Sequence, residues 1–231
     1  YNHGNEAIVR GICELFSNRK ITLYTFDPKI DLLYNLNEVC EVLPFFDSHQ
    51  KFSFQHLKAS IFQRIFKSKW LQKKFYLTKF LKNIDGIYLL EAGDQYCEKN
   101  DLRKFYAFVN KRIVKKGGKT VLLGCTINEE ILQDKEVIKD LHTYSLIIAR
   151  ESITYTALIK AGLINNTYLA PDPAFLMKPK IINLPDIFKN EVVGLNYGFL
   201  AQGNEKYYNL MIKNYENLIL YILNSTNYNI V

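Results

Sequence analysis

The chain has 231 residues, 48% of them hydrophobic, and carries a formal net charge of +7. That is enough apolar chain for one complete domain plus part of another, which argues against a disordered polypeptide. Cys13, Cys40, Cys97 and Cys125 are scattered without a Cys-x-x-Cys pair, and no apolar run approaches the ~20 residues of a membrane-spanning helix, so a zinc site, a disulfide framework and an integral membrane protein are all disfavoured.

The N-terminal stretch Tyr1-Asn2-His3-Gly4-Asn5-Glu6-Ala7 reads as a polar, Gly-bearing loop running into a helix. Ile8, Val9, Ile12, Leu15 and Phe16 recur at helical spacing, and Asn18 ends the run. A loop of this kind presents backbone N–H groups and a helix start to an anion, although plain α/β punctuation produces the same pattern. Tyr1 reads as the end of a first strand that begins before it. Lys20 to Phe26 is the next expected strand, Ile30 to Tyr34 a short helix, and Glu38 to Leu43 a strand stopped by Pro44.

Phe54 to Lys67 and Trp70 to Leu81 are expected helices, broken near Ser68. This region is electrically distinct. Lys51 to Asn83 carries nine Lys or Arg and no acid, +9 against +7 for the whole chain, so the remainder is −2. Eight aromatic residues are interleaved with those cations. Such a mixture suits an anionic membrane surface, where cations attract and aromatic rings insert. It could also suit nucleic acid, but a membrane surface is the expected partner and no nucleic acid is. Two ordinary helices, with rings inward and lysines in water, would give the same composition.

Gly86 to Glu91 is then an expected buried strand, Asp101 to Lys115 a helix stopped by Gly117-Gly118, and Lys119 to Leu123 a strand. Glu129 to Leu141 reads as helix, Ser145 to Ala149 as strand, Ser152 as the cap of a helix reaching Lys160, and Thr167 to Leu169 as a short strand. The alternation predicts βαβ units and an α/β, Rossmann-like parallel sheet. Residues 1–178 form the expected first domain, 179–190 a proline-bearing linker, and 191–231 the start of a second, incomplete Rossmann-like domain. That second part contains an expected strand at Glu191 to Asn196, a helix at Tyr207 to Leu223 and a strand at Tyr228 to Val231.

Four polar clusters fall at expected strand ends, where open parallel sheets bind ligands. They are Ala92-Gly93-Asp94, Gly124-Cys125-Thr126-Ile127, Ala149-Arg150-Glu151-Ser152 and Asp172-Pro173-Ala174-Phe175. Together with Asn2-His3-Gly4-Asn5, and in this order, they resemble the motifs of the polysaccharide pyruvyl transferase family. Asn5 and Ala92 stand where Asp and Gly are common in that family, and Thr126 stands for Ser. The resemblance spans nearly the whole chain and implies a glycosyltransferase-B-like architecture of two Rossmann-like domains across a cleft. It implies transfer of the enolpyruvyl group of phosphoenolpyruvate to sugar hydroxyls of a polysaccharide or lipid-linked precursor, as a ketal. No cofactor and no metal is expected; the setting is cytoplasmic, which the scattered cysteines fit, with peripheral contact at the inner membrane face through Lys51 to Asn83, and this stretch alone is expected to be inactive.

Such chemistry needs an anion clamp, a proton donor to the methylene carbon and a base for the hydroxyl. Arg150 is the clamp, since its planar fork suits carboxylate or phosphate; pairing with Asp172 is the structural alternative. Asp94 and Glu151 are the catalytic candidates. Asn2, His3, Gly4, Asn5, Gly93, Thr126, Asn128, Ser152 and Asp172 are candidate substrate contacts. Glu91, at the end of a buried strand, could donate a proton or be satisfied by backbone. His49, His56 and His142 have no metal-ligand spacing. Two other functions suit the same pattern: a glycosyltransferase using a nucleotide sugar, and a non-catalytic membrane-associated scaffold.

Overall fold

The computed structural model describes residues 3–48, 53–67, 73–77, 79–91, 93, 96, 101–178, 181–196 and 205–231. It divides into two compact units, Tyr1–Met177 and Lys178–Val231.

The first unit begins with α1 (His3–Leu15), whose buried side comprises Ile8, Gly11 and Cys13. Strand β1 (Thr22–Thr25) leads to α2 (Pro28–Leu33), capped by Asp27, which accepts from the Ile30 N–H at 3.4 Å, with Pro28 in the first turn. Strand β2 (Glu41–Pro44) pairs parallel with β1. Helix α3 (Phe54–Phe66) is capped by Ser53 and ends where Lys67 turns left-handed at φ 51°. Of the expected helix from Trp70 to Leu81, residues 70–72 and 78 lie outside the described residues; Lys73 is helical, Lys74–Tyr76 is a 3-10 turn, and Lys79 to Leu81 are in turns.

A four-stranded parallel sheet follows, in the order β3 (Ile87–Glu91), β4 (Lys119–Cys125), β5 (Leu146–Ala149), β6 (Thr167–Leu169). Helices α4 (Asp101–Lys115), α5 (Lys135–Leu141) and α6 (Ser152–Lys160) are its crossovers. Spatial order follows chain order, the arrangement that successive right-handed βαβ units produce. Strand β4 is central and buried from Thr120 to Cys125, which explains its uninterrupted apolar run. Strand β3 was expected to be buried but is an outer strand, and Ile87 and Leu89 are exposed on it. The expected helix from Glu129 to Leu141 is split into a 3-10 turn (Glu129–Gln133) and α5, because Asp134 leaves helical geometry to cap the Glu136 N–H at 2.9 Å.

The core is continuous from the β1–β2 pair into the larger sheet. Phe80 bridges them, edge-on to Tyr24 of β1 at 4.7 Å and to Tyr88 of β3 at 5.9 Å between ring centroids. Phe45, beyond β2, lies in the same cluster as Phe105, Val109 and Ile113 of α4 and Leu122 and Ile147 of the sheet. Burying each such side chain contributes about 1.5–3 kcal/mol.

The second unit is a single βαβ piece. Strands β7 (Val192–Val193) and β8 (Asn229–Ile230) pair parallel, joined by the 21-residue α7 (Glu205–Ser225). Tyr215 Oη donates to the Asn196 carbonyl at 3.0 Å, and Asn229 Nδ2 to that of Ile187 at 2.8 Å.

Candidate active site

The described residues of four polar clusters lie at the carboxyl ends of β3, β4, β5 and β6; of Ala92-Gly93-Asp94 only Gly93 is among them. At the end of β4, Gly124 takes φ +63°, and the register with β5 shifts between Leu123 and Cys125. That irregularity is a local bulge, and glycine enters it without the strain a Cβ would bring. Its product is proximity: a Cβ at Gly124 would lie 3.7 Å from Asp172 Oδ2. The next residue but one, Thr126, donates its N–H to the Gly93 carbonyl at 2.9 Å, tying the β4 loop to the β3 loop.

Arg150, just past β5, spans the remaining distance. Its Nε donates to Thr126 Oγ1 at 2.9 Å, and Nη1 meets Asp172 Oδ2 at 3.4 Å. The Arg150 side chain is 29% exposed and that of Asp172 15%. The guanidinium is thus held by two neighbours and still open to solvent. Asp172 uses its other oxygen, Oδ1, to cap the 3-10 turn Pro173–Leu176 through the Ala174 N–H at 3.0 Å.

The start of α6 differs from expectation. Glu151, not Ser152, is the cap: it accepts from Ile153 N–H at 2.7 Å and Thr154 N–H at 3.0 Å. Glutamate reaches these donors because its own backbone is extended, which swings the carboxylate over the first turn. Burial works to raise the Glu151 pKa, but the Thr154 and Ile153 hydrogen bonds and the Arg150 charge outweigh it, and the pKa lies below the usual carboxylate value. Ser152 is exposed, and its carbonyl accepts from the Thr156 hydroxyl at 2.7 Å.

The N-terminal motif also differs. His3, Gly4 and Asn5 were expected in a loop but form the exposed first turn of α1. The helical run starts five residues before Ile8 because Glu6 supports the first turns, pairing with Arg10 at 2.9 Å and meeting His3 Nδ1 at 3.3 Å. His3 also packs edge-on against Tyr34, 5.1 Å between centroids. Asn2 lies outside the described residues, as do Asp94 and His49. Asn128 is exposed and precedes the 3-10 turn at Glu129.

Two residues that support the site, Thr154 and Gly11, were not singled out from the sequence. Thr154 is buried, and its Oγ1 accepts from the Ile127 N–H at 3.0 Å, fixing the loop that carries Thr126. Gly11 lets α1 lie directly on the Pro173 backbone, since a Cβ there would stand 1.9 Å from the Pro173 carbonyl oxygen. The one available signal was a glycine within an apolar helical face, a pattern that marks close backbone approach. Among the described residues no three or more His, Cys, Asp or Glu are placed to hold a metal, and no helix is long and apolar enough to cross a membrane.

Comparison with known proteins gives one match. The family model described as polysaccharide pyruvyl transferase matches residues 2–231. Searches of curated proteins and of solved structures find no match. The chain belongs to the polysaccharide pyruvyl transferase family, a family of transferases.

Proposed function

We propose that the Arg150 cluster binds phosphoenolpyruvate, whose pyruvyl group is transferred to two hydroxyls of a sugar in a polysaccharide or lipid-linked precursor. In the net reaction the donor methylene carbon gains a proton and becomes a methyl group. The two sugar oxygens bond to the adjacent carbon, and the carbon–oxygen bond to phosphate breaks. Of the two hydroxyl protons, one balances the new methyl hydrogen and the other leaves with phosphate.

The observation that carries this reading is the mounting of Arg150. A positive charge at the carboxyl end of a parallel sheet, part-buried and fixed in direction by Thr126 and Asp172, suits an anionic ligand. The neighbouring α6 start adds no second anion position, because the Glu151 carboxylate already occupies its N–H groups. We therefore assign Glu151 to holding the Arg150 turn, and leave proton transfer to Asp94, the sequence neighbour of Gly93, whose carbonyl accepts from the Thr126 N–H. The acceptor and the cytoplasmic setting follow the family's chemistry.

Titration calorimetry with phosphoenolpyruvate tests the assignment, comparing wild type, Arg150→Ala and Arg150→Lys. Loss of a charge-assisted anion contact costs about 1.5–3 kcal/mol, so Arg150→Ala weakens binding by roughly tenfold to a hundredfold. Lysine keeps the charge but loses the fork, and falls between. Unchanged affinity in Arg150→Ala, with an unchanged melting temperature, would overturn the assignment.

A further inference from the structure

Helix α3 is apolar on the side that faces water. Phe54, Leu57, Ile61 and Ile65 are 70%, 55%, 50% and 67% exposed. At 3.6 residues per turn these four fall on one stripe about a quarter of the helix circumference wide. Lys58 and Arg64 flank it on either side and are exposed, as is Lys67 at its end. The opposite side holds the helix to the protein. There Ala59 is fully buried, His56 Nδ1 lies 3.2 Å from Tyr76 Oη, and Phe62 packs edge-on against Phe75 at 5.4 Å between centroids. The helix is therefore anchored by its more polar side and presents its aliphatic side outward.

We propose that this outward stripe is an interfacial docking surface for an anionic lipid bilayer. The length excludes spanning: 13 residues make about 20 Å of helix, against a hydrocarbon core of about 30 Å. A helix lying in the interface needs an apolar stripe of this kind with cations beside it. Charge selects the partner, since residues 51–83 contain no acid that would repel anionic headgroups. The same charge opposes self-association, which would set the stripe's cations against one another. Side-chain type separates lipid from nucleic acid, because Leu57, Ile61 and Ile65 have no π-face for a base to stack on.

The structure also says which cations take part. Lys73 lies over the Phe26 and Phe46 rings, 5.8 and 5.0 Å from their centroids, and Lys74 lies 3.8 Å from that of Phe62. Both are held within the aromatic cluster. Lys58, whose Nζ lies 4.2 Å from the centroid of the exposed Phe54 ring on the stripe itself, Arg64 and Lys67 are the cations that α3 and its end place beside the stripe.

The test is co-sedimentation of the chain with vesicles of phosphatidylcholine alone or mixed with phosphatidylglycerol, at low and high salt. The expected result is binding to the anionic vesicles only, falling at high salt. Reversal of three charges in K58E/R64E/K67E weakens that binding by about tenfold or more. The variant L57S/I61S also weakens it, at unchanged charge, which separates insertion from simple attraction. All five positions are exposed, so both variants should keep the wild-type circular dichroism and melting temperature. No binding, equal binding to neutral vesicles, an unaffected K58E/R64E/K67E or L57S/I61S variant, or a concentration-dependent dimer through this stripe in sedimentation velocity without lipid would each overturn the proposal. None of these readouts depends on phosphoenolpyruvate, so they are independent of the Arg150 assignment.

Discussion

Two polar networks sit in the first unit, and they are built in opposite ways. One lies between α4, α5 and the amino end of β4. Tyr96 Oη donates to Asp140 Oδ2 at 2.7 Å and is 2.8 Å from Tyr144 Oη. Asn110 Nδ2 donates to Asp140 Oδ1 at 3.1 Å and to Thr143 Oγ1 at 2.7 Å, while Thr120 donates to Asn110 Oδ1 at 2.7 Å. Tyr96, Asn110, Thr120 and Tyr144 are buried. The other network, Thr126–Arg150–Asp172, is charged, part-exposed and at the strand ends. A buried, multiply bonded network sets one arrangement of helices on a sheet; an open charged one leaves room for a ligand to compete. The contrast teaches that polarity alone does not mark a site. Access, and position on the sheet, must go with it.

The largest effect should come from breaking the closed network. Asn110→Ala removes a partner of Asp140, Thr143 and Thr120 at once; the exposed Thr143 can turn to water, but the buried Thr120 hydroxyl loses its acceptor and part-buried Asp140 a donor. The expected loss is about 3 kcal/mol, measured by urea unfolding. Phosphoenolpyruvate affinity should be unchanged in the folded fraction. Arg150→Ala should show the reverse pattern, with lost affinity and a stability change within about 1 kcal/mol, as expected for a part-exposed ion pair. If Asn110→Ala abolished binding while Arg150→Ala cost several kcal/mol, the division between the two networks would be wrong.

Gly11→Ala should give the next largest effect and touch both properties. The added Cβ would stand 1.9 Å from the Pro173 carbonyl oxygen, which is backbone and cannot swing aside. Either α1 or the Pro173 turn must move, at a cost in the about 1–3 kcal/mol range of overpacking. Asp172 directly precedes that turn and caps it, so its grip on Arg150 should loosen and phosphoenolpyruvate binding should weaken. Melting and calorimetry on one sample check both. A destabilised protein with wild-type affinity would show that α1 does not position the cluster.

Much of the first unit was legible because its signals are periodic or punctuated. The apolar run of β4 and the Gly117-Gly118 stop after α4 each have a local physical cause. The motif order located Gly93, Thr126, Arg150 and Asp172 at strand ends, where the structure joins them by direct contacts. What failed depended on partners distant in sequence or on competing caps. Nothing local says that Glu151 will outcompete Ser152 for the α6 N–H groups, since both types accept hydrogen bonds and only the extended backbone decides. Glu6 and Arg10 extended α1 backwards through His3, converting an expected loop into a helical turn. The mixture of rings and cations in Lys51 to Asn83 left open which side of α3 faces out; Phe54, Leu57, Ile61 and Ile65 do, because Ala59, Phe62 and His56 anchor the other side.

The smallest effect is in the pH dependence of stability, and there Asp140 of the closed network and Glu151, the helix cap beside Arg150, should have opposite signs. Burial, acting first, raises the Asp140 pKa above 3.8, although the Tyr96 and Asn110 hydrogen bonds and the Arg103 charge pull it down. A carboxyl raised in the folded state favours folding below its ordinary value, and that contribution is lost as pH rises through the raised pKa. Glu151 is the opposite case. Burial works to raise its pKa, but hydrogen bonds from Thr154 and Ile153 and the Arg150 charge hold it below 4.5. Its contribution is present above the ordinary value and lost as pH falls through the lowered pKa. Urea unfolding of wild type, Asp140→Asn and Glu151→Gln from about pH 3 to about pH 7 isolates each group by difference, since other carboxylates cancel. Wild type minus Asp140→Asn should fall as pH rises. Wild type minus Glu151→Gln should rise, reaching a plateau of about 1 kcal/mol, the usual value of a helix cap. Parallel slopes for the two differences would mean that Asp140 ionises as freely as Glu151, and that the inner network is open to water rather than closed.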